Sequence, residues 1–318
     1  MYILTADIEI AGDRHWRFNW VSEVEISRDT GKLTDECRIT LPKKIKWDGQ
    51  AAIPVHRGDR VRVSLGYDGN NELAFVGYVR DVSCKTPVVI SCEDEMFVLK
   101  QTPAKKKSYR SVDLGTLLKD QGLPYEIKVM GEQRLGAYRV TADTVASLLG
   151  KLQEQGVRSF FKYEGGRTVL YCGVLFEREA QISQVFSTGV NIISDQALEQ
   201  QQAQNMRIKV KAVSLMPDNK KIRVEVGDAD GELRTLHTYN KTESELKAWA
   251  EQELARLKRD GLKGNITTFG YKLVDKLDCI GIKLDGIRKG VYMVDRNVIK
   301  YGAGGYRQEI TLGRRVAE

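Results

Sequence analysis

A short β-unit is written twice in this chain, once near each end, and it constrains the fold more than any other feature. The first copy opens with Gly58-Asp59 and continues Arg60-Val61-Arg62-Val63-Ser64-Leu65. A Gly/Asn-containing turn follows, then a return segment Phe75-Val76-Gly77-Tyr78-Val79 that runs on to Val82. The second copy opens with Lys276-Leu277-Asp278, continues from Cys279 to Leu284, turns at Asp285-Gly286 and returns through Gly290-Val291-Tyr292-Met293-Val294 to Val298. In each copy an acidic residue precedes a strand whose apolar positions recur every second residue: Val61, Val63 and Leu65, then Ile280, Ile282 and Leu284. Period two marks a strand with one buried face, and a glycine-containing turn between two such runs predicts a hairpin. Two related β-units in one chain would give a ring of three copies six similar modules.

At 318 residues the chain is long enough for two or three domains and for cores that need no covalent staples. Its 42% hydrophobic and 29% charged residues are ordinary for a globular protein. No apolar run approaches the roughly 20 residues of a membrane span. The opening Met1-Tyr2-Ile3-Leu4-Thr5-Ala6-Asp7 lacks the basic-then-apolar order of a secretory leader. The expectation is synthesis in a bacterial cytoplasm, with no membrane insertion by the chain itself.

The five cysteines, Cys37, Cys84, Cys92, Cys172 and Cys279, are odd in number and contain no CxxC pair, so neither a zinc site nor a disulfide framework is indicated. His15, His56 and His237 stand far apart without a motif around them. Net charge is +7, and the densest basic runs are Lys43-Lys44-Ile45-Lys46 and Lys105-Lys106-Lys107. Both sit in loop-like contexts and read as solvated loops rather than as a binding patch.

Residues 1 to about 100 read as strand after strand, at 8–10, 16–20, 24–26, 37–41, 60–65, 73–82 and 87–91, punctuated by Gly, Asp, Asn and Pro. Short, regularly spaced strands of this kind predict a barrel or sandwich. The middle differs. Ser111 is a candidate cap for a helix carrying Leu114, Leu117 and Leu118 that stops at Gly122, and Thr141 for a second carrying Val145, Leu148, Leu149 and Leu152 that stops near Gly156. A strand at 125–130 and a hairpin around Glu164-Gly165-Gly166-Arg167 complete an α/β insert, and a polar connector at 196–204 follows. Strands resume at 206–215, 221–226 and 233–239. Thr242 and Glu245 then form a capping box before a helix with Leu246, Trp249, Ala250, Leu254 and Leu257 on one stripe. The fold class expected is mainly β with an α/β insert, as two related β-barrel-like domains flanking a small α/β domain. The boundaries are 1–100 for the first barrel, 101–204 for the middle domain and connector, and 205–318 for the second barrel with one inserted helix.

Candidate chemistry is sparse. Glu93-Asp94-Glu95 is the densest acidic cluster, and an exposed loop or salt-bridging turn accounts for it without catalysis. Gly302-Ala303-Gly304-Gly305 lacks the following helix and Lys-Ser/Thr of a phosphate loop, and reads as a hairpin turn. Arg60, Arg62, Tyr67 and Tyr78 could form a basic, aromatic face for single-stranded nucleic acid. No residue is assigned a catalytic, cofactor-binding or metal-binding role, and no enzymatic activity, metal or cofactor is expected.

The second copy in its setting carries a resemblance. Gly264-Asn265-Ile266-Thr267-Thr268-Phe269-Gly270, Leu277-Asp278, Gly290 to Val294, and Gly305-Tyr306-Arg307-Gln308-Glu309-Ile310-Thr311-Leu312-Gly313 together resemble the tail-hub family of contractile phages and related injection machines. That family includes late-control D proteins, the phage Mu-type baseplate hub and the hub portion of type VI secretion spike proteins. In the N-terminal half Gly58-Asp59, Val61 and Val63, Phe75 to Val79 and Cys92-Glu93-Asp94 agree, so the resemblance covers essentially the whole chain. It implies a homotrimer whose β-domains form a pseudo-sixfold ring, adapting a hexameric tail tube to a trimeric spike. It also implies contacts with tape-measure and other baseplate proteins, and a place in the assembled virion or injection particle. The chain ends soon after Leu312 with no β-helix or lysozyme-like segment, so the spike and any cell-wall cleavage are expected on other proteins. A glycan-acting enzyme and a nucleic-acid- or glycan-binding barrel are the alternatives.

Overall fold

The structure, a computed structural model, describes residues 2–43, 54–83, 85–131, 133–173, 181–218, 220–284 and 287–317. Lys44 to Lys46 of the first basic run, Cys84 and the expected Asp285-Gly286 turn lie outside the described residues. The chain divides into two units. Unit 1 comprises Met1–Val98, Ala180–Leu198 and Gly264–Glu318, and unit 2 comprises Leu99–Glu179 and Glu199–Lys263.

In chain order, unit 1 begins with β1 (Leu4–Ala11), β2 (His15–Phe18), β3 (Glu23–Asp29), β4 (Glu36–Thr40), β5 (Arg60–Tyr67), β6 (Asn70–Val82) and β7 (Val89–Glu93). The helical turn α1 (Met96–Leu99) leads out of it. Unit 2 then forms β8 (Ser108–Asp113), α2 (Leu114–Asp120), β9 (Glu126–Met130), β10 (Arg134–Arg139), α3 (Val145–Gln153), β11 (Arg158–Glu164) and β12 (Arg167–Gly173). The chain returns to unit 1 for β13 (Ile182–Ser187) and β14 (Ile192–Ser194), and β15 (Leu198–Gln201) leads back. Unit 2 adds β16 (Ile208–Leu215), β17 (Lys221–Gly227), β18 (Glu232–Tyr239) and α4 (Glu243–Leu257). Through β19 (Gly261–Phe269) the chain re-enters unit 1 for β20 (Cys279–Leu284), β21 (Ile287–Gly302) and β22 (Gly305–Ala317).

The two copies of the β-unit are the hairpins β5–β6 and β20–β21. The first closes on Asp68-Gly69, both at positive φ (51° and 84°), as a two-residue turn between right-twisted strands demands. Val61, Val63 and Leu65 are fully buried, as are Ile280 and Ile282. Registers differ: Gly77 sits opposite Val61, whereas Gly290 sits opposite Ile282.

The mainly β character with an α/β insert is as expected, but among the described residues the strands of unit 1 do not close into barrels. They follow one path, β14-β19-β22-β21-β3-β4-β7-β6-β5-β1-β2, with β20 beside β21 and β13 beside β20. β21 explains why. It is 16 residues long; its first half pairs with β20, and on its second half Arg296 to Gly302 pair residue for residue with Asp29 to Glu23 of β3. The C-terminal strands therefore extend the N-terminal sheet instead of folding upon themselves. A core spans the join, in which Ile299, Tyr301 and Tyr306 pack with Ile8, Ile26 and Val63. Each such side chain contributes about 1.5–3 kcal/mol on burial.

Residues 206–263, assigned by sequence to the second barrel, separate from it. They form the sheet β17-β16-β18, with β16 antiparallel to β17 and parallel to β18. The helix α4 lays Leu246 and Ala250 on Ile208, Val210 and Ala212, with Trp249, Leu254 and Leu257 half-buried beside them. At its start Glu245 accepts from the Thr242 backbone N–H and hydroxyl, both at 2.8 Å. The hairpin β11–β12 turns at Gly165-Gly166 as the sequence indicates, and β9 joins it in parallel. The two earlier helices start two to three residues later than expected. Ser111 lies within β8, and Asp113 caps α2 by accepting from the Thr116 N–H at 2.8 Å. Thr144 caps α3, accepting from the Ser147 N–H at 3.2 Å.

Candidate assembly surface

The acidic triplet is not an exposed loop. Glu93, Asp94 and Glu95 leave β7 buried, and each carboxylate is engaged within unit 1. Glu93 meets Arg80 at 3.4 Å and Glu95 meets Arg60 at 2.8 Å. Asp94 accepts from the backbone N–H groups of Asp35 (3.2 Å) and Met96 (3.0 Å). Beside Asp94, the ammonium of Lys276 reaches Asp35 at 2.6 Å, with the Lys276 side chain 0% exposed. Two buried carboxyls thus face one buried ammonium. Burial pushes Asp94 up to about 8; the Asp35 charge adds to that rise and Lys276 opposes it. Burial likewise raises Asp35, against the pull of Lys276. Removing ions from water costs several kcal/mol each, so such a cluster holds only while its members stay paired. It is a lock between residues 35, 94 and 276.

The same lock fixes an irregular segment. Residues 270–278, between β19 and β20, form no strand. The fully buried amide of Gln308 donates to the Phe269 carbonyl at 3.1 Å and accepts from the Val274 N–H at 3.2 Å, and Asn297 donates to the Val274 carbonyl at 2.7 Å. Gly270 lies against the Tyr306 ring, where a Cβ would collide with it. Tyr271 is exposed on this segment, while Arg307 covers the Phe269 ring at 5.0 Å.

The proposed nucleic-acid face comes apart. Arg60 and Tyr78 are opposite one another, guanidinium 4.9 Å over the ring, and Tyr78 stacks on Phe97 at 5.6 Å. Tyr67 is seven residues along β5, roughly 23 Å away. There its ring packs on Tyr306 at 5.6 Å and its hydroxyl donates to the Tyr306 carbonyl at 3.0 Å. Arg62 shares the exposed Arg60 face of β5. In the second basic run, Lys106 pairs with Asp143 at 2.8 Å and Lys107 with Asp120 at 2.6 Å, in exposed positions that match a solvated loop.

His15 and His56 are exposed, and His237 is half-buried. Among the described residues no group of three or more His, Cys, Asp or Glu could hold a metal ion. Cys37 and Cys92 sit opposite each other on β4 and β7, and with Cys172 and Cys279 they are buried free thiols. Burial drives the Cys37 and Cys92 thiols up, and that of Cys172 up to about 12. Gly302 and Gly305 close the β21–β22 hairpin, as the glycine pattern indicates.

What remains available for interaction is apolar surface and open backbone. Of the eleven large apolar side chains exposed among the described residues, nine belong to unit 1. Tyr2 (80% exposed), Ile3 (68%) and Trp20 (77%) lie at the β1–β2 end of the strand path, and Ile182, Val185, Val190 and Ile193 at or between β13 and β14.

No family model matches the sequence, and no curated protein sequence does. Solved structures do match in fold. A tail protein from Neisseria meningitidis superposes with a TM-score of 0.66 at 13% identity, over 98% of this chain and 96% of that one. The 43 kDa tail protein of prophage MuSo2 from Shewanella oneidensis gives 0.63 at 17% identity, over 98% of each chain. An Escherichia coli component of the type VI secretion system gives 0.53 at 9% identity, over 93% of this chain and 73% of that one. The chain therefore has the fold of phage tail and type VI secretion proteins, the group that residues 264–313 resemble.

Proposed function

We propose that this chain is a structural hub of a phage tail or contractile injection machine, acting as a homotrimer that joins a hexameric tube to a trimeric spike. The observation that carries the reading is a fold shared from end to end with two tail proteins, with no large part of any of the three chains left over. The hairpins β5–β6 and β20–β21 add to it, since three subunits bearing two such elements each supply six similar contacts toward a sixfold partner. Because the described strands do not close into barrels, the sixfold likeness rests on the hairpins. The chain does no chemistry in this reading: its densest carboxylate cluster is committed to Arg60, Arg80 and Lys276. The tape-measure protein and other baseplate proteins are its further neighbours in the particle.

The test is a deletion in a strain that produces the particles. Expected are tubes that lack a joined spike, restored by the wild-type chain, with the chain detected at the tube–spike junction by labelled electron microscopy. Particles with complete junctions in its absence, or turnover of purified peptidoglycan by the chain, would overturn the proposal.

A further inference from the structure

Beside the apolar surface of unit 1, unit 2 presents a charged one. Unit 1 holds 23 lysines and arginines against 23 aspartates and glutamates, and unit 2 holds 27 against 20, so the whole net charge of +7 belongs to unit 2. Within unit 2 the sheet β17-β16-β18 has two unlike faces. Alternation puts Ile208, Val210 and Ala212 of β16 under α4, with Ile222, Val224 and Val226 of β17 beside them. The opposite face presents Lys209 and Lys211 on β16, and Lys221, Arg223 and Glu225 on β17. Its β18 positions, Leu233, Thr235 and His237, include no acid. Four cations thus share one carboxylate. Lys209 holds it at 2.7 Å, and Glu225 stays below its usual value first through that bond, with the Lys211 charge adding to the effect. Lys211, Lys221 and Arg223 have no ion-pair partner among the described residues. At one corner Gly156 lies on His237, and the Gln155 carbonyl accepts from the Tyr239 hydroxyl at 3.4 Å. The rest of the face is open: Arg223, Glu225, Leu233 and Thr235 are exposed.

We propose that this face docks an extended acidic segment of a partner protein, its carboxylates seated on Lys211, Lys221 and Arg223. Edge protection does not account for these cations. Lys211 is on the central strand, which has a neighbour on each side, and an edge is shielded equally well by charges of mixed sign. Lys211 and Arg223 are diagonal neighbours, and Lys221 lies two residues from Arg223, roughly 7 Å along β17. Clustered like charges repel one another until an anion settles among them. Carboxylates at alternate positions of an extended segment recur at the same roughly 7 Å spacing. The composition of the face selects protein over nucleic acid. No exposed aromatic ring stands on it for bases to stack on, since Tyr239 is buried. Three free cations are fewer than the roughly 6–10 phosphate contacts of an ordinary duplex binder. Exposed Leu233 and Thr235 beside them supply the apolar and hydroxyl contacts of a protein interface. The inference goes beyond the tail reading and does not rest on it.

The test uses the full chain and two probes, a short fluorescein-labelled peptide alternating glutamate and threonine, and a labelled DNA duplex. One variant combines Lys211→Gln, Lys221→Gln and Arg223→Gln. A charge-matched control combines Arg110→Gln, Lys119→Gln and Arg139→Gln, exposed cations elsewhere in unit 2. Circular dichroism checks that both fold. In fluorescence anisotropy at about 0.15 M salt, the wild-type chain should bind the peptide saturably. The face variant should weaken that binding by about fivefold to tenfold, and the control should leave it within about twofold. A control that loses as much as the face variant would show only attraction to overall charge and would overturn the inference. So would a wild-type chain with no saturable binding of the peptide. Duplex DNA held more tightly than the peptide, and released by the face variant, would overturn the choice of occupant. Complete tube–spike junctions in the deletion strain would overturn the tail reading and leave this one standing.

Discussion

Unit 1 and unit 2 are both largely β, yet they manage strands in opposite ways. Unit 2 divides its strands among small sheets and dresses them with ion pairs, such as Lys209–Glu225 at 2.7 Å, Arg234–Glu232 at 2.9 Å and Arg167–Glu126 at 2.9 Å. Unit 1 strings its strands along one path and keeps its most buried ions inside, where Lys276 and Asp35 hold residues 241 positions apart. Exposed pairs contribute little to stability, so their use in unit 2 is to keep edges solvated. A buried pair adds no solubility, but it is costly to break. Unit 1 carries exposed pairs too, such as Arg17–Asp7 at 2.7 Å, so what sets it apart is the buried pair that ties Asp35 to Lys276.

Lys276→Met attacks the contrast most severely. It strands the Asp35 carboxylate beside Asp94 and should cost unit 1 about 3–5 kcal/mol. Hydrogen exchange read by mass spectrometry should show β3, β4 and β7 losing protection while α4 and β16 keep theirs. Equal losses in both units would mean that the lock does not belong to unit 1 alone.

Intermediate in size, the pH response should run in opposite directions in the two units. Asp94 is raised, so the native state holds a proton that the unfolded chain has released. Its contribution is complete below the ordinary carboxylate value and is lost as pH rises through about 8. Asp113 in unit 2 is lowered, first by the Thr116 N–H and then by the Thr116 hydroxyl, so its contribution is present above the ordinary value and is lost as pH falls. Between about pH 5 and pH 8, protection should decline around β7 and hold in α2. Asp94→Asn should flatten the decline, and an unchanged slope in that variant would assign it to another group.

The smallest effect sharpens the comparison from the other side. Asp113→Ala removes the cap of α2 and should cost unit 2 about 1 kcal/mol, with exchange accelerated in α2 and unchanged in unit 1.

Local pattern carried the sequence reading a long way. Period two located β5, β6, β20 and β21, paired glycines located the β11–β12 turn, and the leucine stripe with its capping box located α4. What periodicity cannot express is which distant strand lies alongside. Val24 and Ile26 look the same in sequence whether β3 has one neighbour or two, so its pairing with β21 stayed hidden and residues 205–318 read as a second barrel. The acidic triplet left two readings open, an exposed loop or a salt-bridging turn, and the choice needed Arg60 and Arg80, which arrive from elsewhere in the chain. Caps shifted because Ser111 and Asp113 are both good cap residues, and the pairing of β8 with β10 decides between them.

The pairing of β3 with β21 also sets an order in time. A ribosome that has made β3 at residues 23–29 must add some 270 more before residues 296–302 exist to lie beside it. At ordinary elongation rates that is on the order of 15–50 s. Through that interval β4 is available to β3 but its other flank is bare, while the strands of unit 2 are completed in between. The first third of this protein is thus translated early and finished last, with one flank of β3 unpaired until its partner emerges.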